Sequence, residues 1–188
     1  MTFIVRRVLP NEYHKYTAHL KALDPDSKQL RFGFNIKDET LATLCKNFED
    51  NTQKHILFCV ENDELDFIAI GHVAIGDEME LAFSVLKEYQ GQGIGDKLMK
   101  RCINLCRLHG YLRGCMVCLS HNKAIKHLCV KNGIRIHSEF GETMGDITLN
   151  TANLNTVMLE VENVNRAVID YGLKRIKLPW TLIENILN

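Results

Sequence analysis

The apolar residues of this chain recur with two different periods, and the change between them marks out its elements. "EYHKYTAHLKAL" (12–23) has a helical pattern, and a second helix is predicted over Lys37 to Asn47, where Ile36, Leu41, Leu44, Cys45 and Phe48 keep helical spacing. The period then shortens. "HILFCVE" (55–61), "DFIAIGHVAI" (66–75) and "MELAFSVL" (79–86) are short runs of β-branched and aromatic residues separated by turn residues, which predicts three antiparallel strands in a meander. "FIVRRVL" (3–9) reads as an earlier strand closed by Pro10, and "DPDSK" (24–28) reads as a turn.

Beyond residue 90 the pattern predicts a helix over 94–109, a strand over 115–120, a helix over 122–132 and a hairpin turning near Gly141. The tail predicts a helix around 155–171 and a short one after Pro179. This order gives an α+β class, a mixed sheet with helices on both faces. The expected organisation is one domain over 1–150 and a helical extension over 151–188. Val157, Val161, Val164 and Val168 share a face of that extension, so it has to bury them on its own domain or against a second subunit in a homodimer.

Composition narrows the function classes. Among 188 residues, 23 basic side chains balance 23 acidic ones, so no overall field draws the chain to nucleic acid or to an anionic membrane. No apolar run reaches the length of a membrane span, and Met1 to Pro10 lacks the features of a signal peptide, which sets the expectation of a cytoplasmic protein. Seven cysteines, mostly inside apolar segments, suit a reducing compartment. Cys115 and Cys118 form a C-x-x-C, but residues three apart on a strand face opposite sides, so no metal site is expected there.

The chemistry begins at "EYQGQGIGDKLM" (88–99), where Gly91, Gly93 and Gly95 alternate between a strand and an amphipathic helix. Unpaired N–H groups and the helix dipole converge at such a turn, and glycine lets an anion approach the backbone. A phosphate or pyrophosphate is the first expectation, and a plain glycine-rich turn the alternative. Asp96 stands where a Rossmann fingerprint requires its third glycine and where a Walker A loop requires lysine, so both of those loops are excluded.

The six residues Gln90, Gly91, Gln92, Gly93, Ile94 and Gly95 fit Q/R-x-x-G-x-G/A, which resembles motif A of the GNAT N-acetyltransferase superfamily. Downstream, Asn122, Ala124, Ile125, Leu128, Lys131 and Gly133 resemble its motif B, with Ile134 in place of the final aromatic residue. The resemblance spans roughly residues 3–149. It implies a mostly antiparallel, twisted GNAT sheet whose central strands splay apart, and acetyl-CoA as co-substrate. It also implies a cofactor site of Phe83, Ser84 and Val85 from the preceding strand, the loop residues Gln90, Gly91, Gln92, Gly93, Ile94, Gly95 and Asp96, and Asn122. Asn122 can equally cap the helix it begins.

Acetyl transfer to an amine requires the acceptor to lose a proton, because an alkylammonium has a pKa of about 10.4. Glu80 is the candidate base: on a strand it shares a face with Ala82 and Ser84, and burial would raise its pKa. An exposed carboxylate at the strand's start is the alternative. The segment "EMELAFSVLKEYQGQGIGDKLM" is similar to that of Pat-type protein lysine acetyltransferases, which favours Glu80 and a protein lysine as acceptor; the other acceptors are a polyamine, an amino acid or an antibiotic. A non-catalytic acyl-CoA-binding module is the reading from another class. Ser27, Leu30, Arg31 and Phe32, also similar to that subgroup, either line the acceptor side or cap the core. Where many GNAT enzymes carry an acid tyrosine, this chain has Cys129, a small buried filler or a weak proton donor.

Overall fold

The computed structural model describes residues 3–139 and 142–187. The chain begins with strand β1 (Arg6–Arg7), a 3-10 turn and helices α1 (Tyr13–Ala22), α2 (Pro25–Phe32) and α3 (Asp38–Asp50). The meander β2 (His55–Glu61), β3 (Phe67–Ile75) and β4 (Met79–Val85) follows, then α4 (Ile94–Leu108), β5 (Arg113–Leu119) and α5 (Lys123–Lys131). The hairpin β6 (Arg135–Glu139) and β7 (Glu142–Thr148) and the helix α6 (Leu154–Leu187) complete the chain. Among the described residues this is a seven-stranded sheet in the order β1-β2-β3-β4-β5-β7-β6, antiparallel except where β4 meets β5. The expected α+β class with helices on both faces is what the chain adopts. The hairpin's turn near Gly141 lies outside the described residues.

Period-two alternation sorts the strands between two cores. Ile56, Phe58, Val73, Leu81 and Phe83 face α4, where they pack on Ile94, Leu98, Met99 and Cys102. Leu57, Cys59 and Ile70 face the other way, onto Tyr16 and Leu20 of α1 and Leu41 and Cys45 of α3.

Three elements differ from the sequence pattern. The first strand keeps ladder pairs only at Arg6 and Arg7, with Val8 N–H still donating to the Leu57 carbonyl at 2.9 Å. It is an edge strand, and its Arg6 is buried between Glu12 and Glu61 with its guanidinium over the Tyr171 ring. The turn at 24–28 is a helix start: Asp24 caps α2 by accepting from Ser27 N–H, and Pro25 takes the first helical position. The tail is one helix that runs through position 179, where the sequence pattern predicts a break.

The helix α6 lies against α4 and β1. Arg101 of α4 pairs with Glu160, Asn104 donates to Glu160 at 3.0 Å, and Lys174 Nζ donates to the Glu61 carbonyl at 3.1 Å. No helix among the described residues is long and apolar enough to cross a membrane.

The feature that positions the site is the short contact between β4 and β5. They pair in parallel only at Met79–Gly114 and Glu80–Cys115, then separate. At Gly114 a Cβ would stand 2.3 Å from Met79 Cγ and 2.6 Å from its carbonyl oxygen, so only glycine allows the strands this approach.

Candidate active site

Past the Met79–Gly114 contact the gap between the strands opens into a cavity of about 420 Å³. Leu81 to Val85 form one wall, Met116 to Cys118 the other, and the start of α4 closes one end. Of the residues expected to hold a cofactor, Phe83, Ser84, Val85, Gln90, Gly91, Gly93, Ile94, Gly95, Asp96 and Asn122 line this cavity. Gln92 does not; its amide turns away and donates to the Glu88 carbonyl at 3.1 Å.

Local chemistry explains how the loop is held. Gln90 Nε2 donates to the Val85 carbonyl at 3.0 Å and to Ser27 Oγ at 3.2 Å, tying the loop to the end of β4 and to α2. Gly91 and Gly93 adopt φ of 74° and 78°, in the left-handed region, and a Cβ on either would meet nothing within 4 Å. The protein's own packing therefore leaves that space open. The first amides of α4 have no intrahelical acceptor, and Ile94, Gly95 and Asp96 line the cavity, an arrangement that suits a pyrophosphate.

Asp96, in the first turn of α4, is pinned from three sides: Lys100 at 2.9 Å, Lys131 at 3.0 Å and Asn132 Nδ2 at 3.0 Å. Desolvation works to raise its pKa, but these partners outweigh it and bring it down to about 2. Its charge is thereby neutralised where an anion would lie, and it locks α4 to α5. Asn122 is 5% exposed and caps α5, its Oδ1 accepting from Ile125 N–H at 3.2 Å. Cys129 lies in the core beside α4, where burial pushes its thiol up to about 11; it does not line the cavity.

Glu80 sits elsewhere. The alternation along β4 is as expected, but Glu80 is exposed, so the burial expected to tune it as a base is absent. It lines a second cavity of about 210 Å³ with Arg31, Phe32, Leu44, Phe48, His55, His72, Ala74 and Ala82. Arg31 and Ala82 line both cavities, so the two meet there.

Three histidines that the sequence pattern did not single out lie beside these cavities. His19 is buried; its Nδ1 donates to the Phe67 carbonyl and its Nε2 accepts from Ser84 Oγ, both at 2.8 Å. Burial lowers its pKa to about 4. His72, opposite Ala82 on β3, is buried against Phe48, and its Nε2 lies 3.1 Å from His55 Nδ1. Its pKa is held well below the ordinary imidazole value by burial, then by Arg31 and His55. The visible signal was a histidine inside the otherwise apolar run "AIGHVAI".

Comparison with known proteins supports the GNAT superfamily. Residues 52–133, from the meander to the end of motif B, match the family model described as "Acetyltransferase (GNAT) domain". The chain has the GNAT fold, and its central stretch is similar to a GNAT acetyltransferase domain. An acetyltransferase of Pseudomonas aeruginosa is 25% identical over 136 residues, covering 69% of this chain and 73% of that protein. The GNAT domain of S. lividans PAT has a TM-score of 0.66 at 20% identity, over 77% of this chain and 89% of the other. A PaiA N-acetyltransferase from Thermoplasma acidophilum, solved with coenzyme A, has a TM-score of 0.60 at 13% identity, over 79% and 100%.

Proposed function

We propose that this protein binds acetyl-CoA and transfers the acetyl group directly to an amine, with a protein lysine as the acceptor. The observation that carries the reading is the wedge between β4 and β5, which runs from the open glycine turn to the junction at Arg31 and Ala82. In this arrangement the amides of the Gly91–Asp96 segment hold the pyrophosphate, and the strand edges beyond Met79 and Gly114 take the pantetheine arm. Bound acetyl-CoA supplies an acetyl thioester, and the chain's own residues orient the amine and manage its proton. Support for a protein lysine comes from the β4-to-α4 segment, similar to Pat-type enzymes, and from the apolar wall of Phe32, Leu44 and Phe48, which suits an alkyl stem.

Glu80, on the wall of the second cavity, is the carboxylate that draws the acceptor ammonium in. Glu80→Gln is expected to keep acetyl-CoA binding and to lower turnover roughly tenfold, since a hydrogen bond to a charged group contributes about 1.5–3 kcal/mol. The check is acetyl-CoA-dependent release of CoA with lysine peptides, spermidine and free amino acids as acceptors. Turnover of spermidine or an amino acid alone would replace the lysine reading, and no amine-dependent release at all would remove the enzyme reading.

The tail is proposed to join two copies. Thr156 and Ala167 are buried and Glu160 and Lys174 face the domain, so α6 turns small and polar residues inward. Leu154, Val157, Val161, Val164 and Val168, at heptad spacing, remain 44–73% exposed. A soluble monomer rarely leaves such a stripe uncovered, and a second α6 matches its length and pattern. Val161→Glu with Val164→Glu is expected to convert a dimer to a monomer in light scattering after size exclusion. A wild-type monomer at tens of micromolar would overturn the pairing.

A further inference from the structure

The second cavity contains more machinery than one carboxylate. Arg31 Nη2 lies 3.4 Å from His72 Nδ1 and can only donate, so Nδ1 is the acceptor and its one lone pair faces Arg31, the residue that lines both cavities. That leaves the His72 proton on Nε2, donated to His55 Nδ1 at 3.1 Å. His55 then has its own proton on Nε2, and it stands half-exposed at the start of β2. The two imidazoles therefore form a donor chain that runs from the junction to the surface.

We propose that the second cavity receives the acceptor amine and that the His72–His55 pair carries its proton to solvent. This rests on the acetyl-transfer reading above. The ammonium enters past Glu80 and reaches the junction beside Ala82, where it takes the place of Arg31 at His72 Nδ1 and gives that nitrogen one proton. His72 passes its Nε2 proton to His55 Nδ1, and His55 releases its Nε2 proton to water. The neutral amine then bonds to the acetyl carbon as the carbon–sulfur bond breaks, and its remaining excess proton goes to the departing CoA sulfur. Ring rotation or return exchange restores both histidines.

The surroundings keep the pair receptive. Facing His72 are Arg31 from α2, Tyr16 from α1, His55 from β2 and Glu80 from β4, with Phe48 of α3 tilted against both rings. Arg31 disfavours a resting imidazolium at His72, and burial and Lys54 do the same at His55. A neutral pair at working pH has the lone pair that the step needs. No carboxylate is within ion-pair distance of either ring among the described residues, so the proton is not trapped on the way.

The test compares wild type, His55→Asn and His72→Gln in full-length protein, using whichever of the lysine peptides, spermidine or amino acids the wild type turns over. His55→Asn, at the rim, is expected to lower kcat about tenfold while the KM for acetyl-CoA stays unchanged. The loss should narrow as pH rises toward the acceptor's own pKa, and added imidazole should restore part of the rate. A structural role for His55 would lower thermal stability and would respond to neither pH nor imidazole. A His55→Asn variant with wild-type kcat across pH 6.5 to 9 overturns the relay and leaves acetyl transfer standing. A wild type that binds acetyl-CoA and turns over none of these amines overturns both. His72→Gln serves as a second variant: if it folds, its loss should equal or exceed that of His55→Asn.

Discussion

An asparagine at position 93 is expected to leave the fold standing and to weaken acetyl-CoA binding about a hundredfold, the equivalent of one or two charge-assisted hydrogen bonds at about 1.5–3 kcal/mol each. Gly93 has φ of 78°, and asparagine tolerates the left-handed region better than other residues with a side chain. It also serves well at a helix N-cap, the position Gly93 holds on α4. A Cβ there meets nothing within 4 Å, so the protein itself gives no steric objection. What the side chain does occupy is the space in front of the first amides of α4. The substitution thus separates what the glycine does for the backbone from what it leaves for a ligand. Titration calorimetry with acetyl-CoA, beside a melting curve of the free protein, reads the two effects apart. Unchanged affinity in a folded variant would show that the pyrophosphate lies elsewhere.

That turn was legible because its information is local: alternate glycines, a strand before them and an apolar helix after them are contiguous letters. The meander was legible for the same reason, since each strand is a contiguous, mostly apolar run of seven to nine residues bounded by turn residues. The second cavity was not. Arg31, Phe48, His55, His72 and Glu80 come from five elements, and only the stacking of α2 and α3 on one sheet face brings them together. The face of Glu80 could be read from its strand, but not that this stretch of the face stays open to solvent. The sequence around α2 was also ambiguous, because an Asp-Pro pair followed by serine both turns a chain and caps a helix. Reading it as a turn separated Leu30, Arg31 and Phe32 from the helix that carries them into the cavities. In the tail, the valine spacing gave a helix correctly, but a helix pattern does not say which face docks. Here the inward face is held by Arg101, Asn104 and Glu61 through polar contacts, which no hydrophobic pattern reports.

Acid is expected to weaken this protein well before its carboxylates titrate. His19 is neutral in the folded state down to about pH 4, where burial has moved its pKa from 6.5. In the unfolded chain the same imidazole takes a proton below about 6.5. Between those values the unfolded state binds more protons, so stability falls as pH falls, by about 1.4 kcal/mol per unit for one fully developed site. Over the whole window His19 alone accounts for about 3 kcal/mol, a large part of an ordinary domain's margin. His72 and His55 have pKa values shifted in the same direction and add to the slope. Asp96 belongs to a later stage: its stabilising contribution is present above about pH 4 and is lost only as pH falls toward 2. Urea denaturation at half-unit steps from pH 7 to 4 measures the first stage directly. His19→Gln should lower the slope between pH 6 and 5 by about 1.4 kcal/mol per unit, even though it costs stability at pH 7 through the lost contacts to Phe67 and Ser84. An unchanged slope in that variant would mean that His19 is protonated in the folded protein. Its Nε2 could then no longer accept from Ser84, and the contact that anchors this part of β4 to α1 would have to be redrawn.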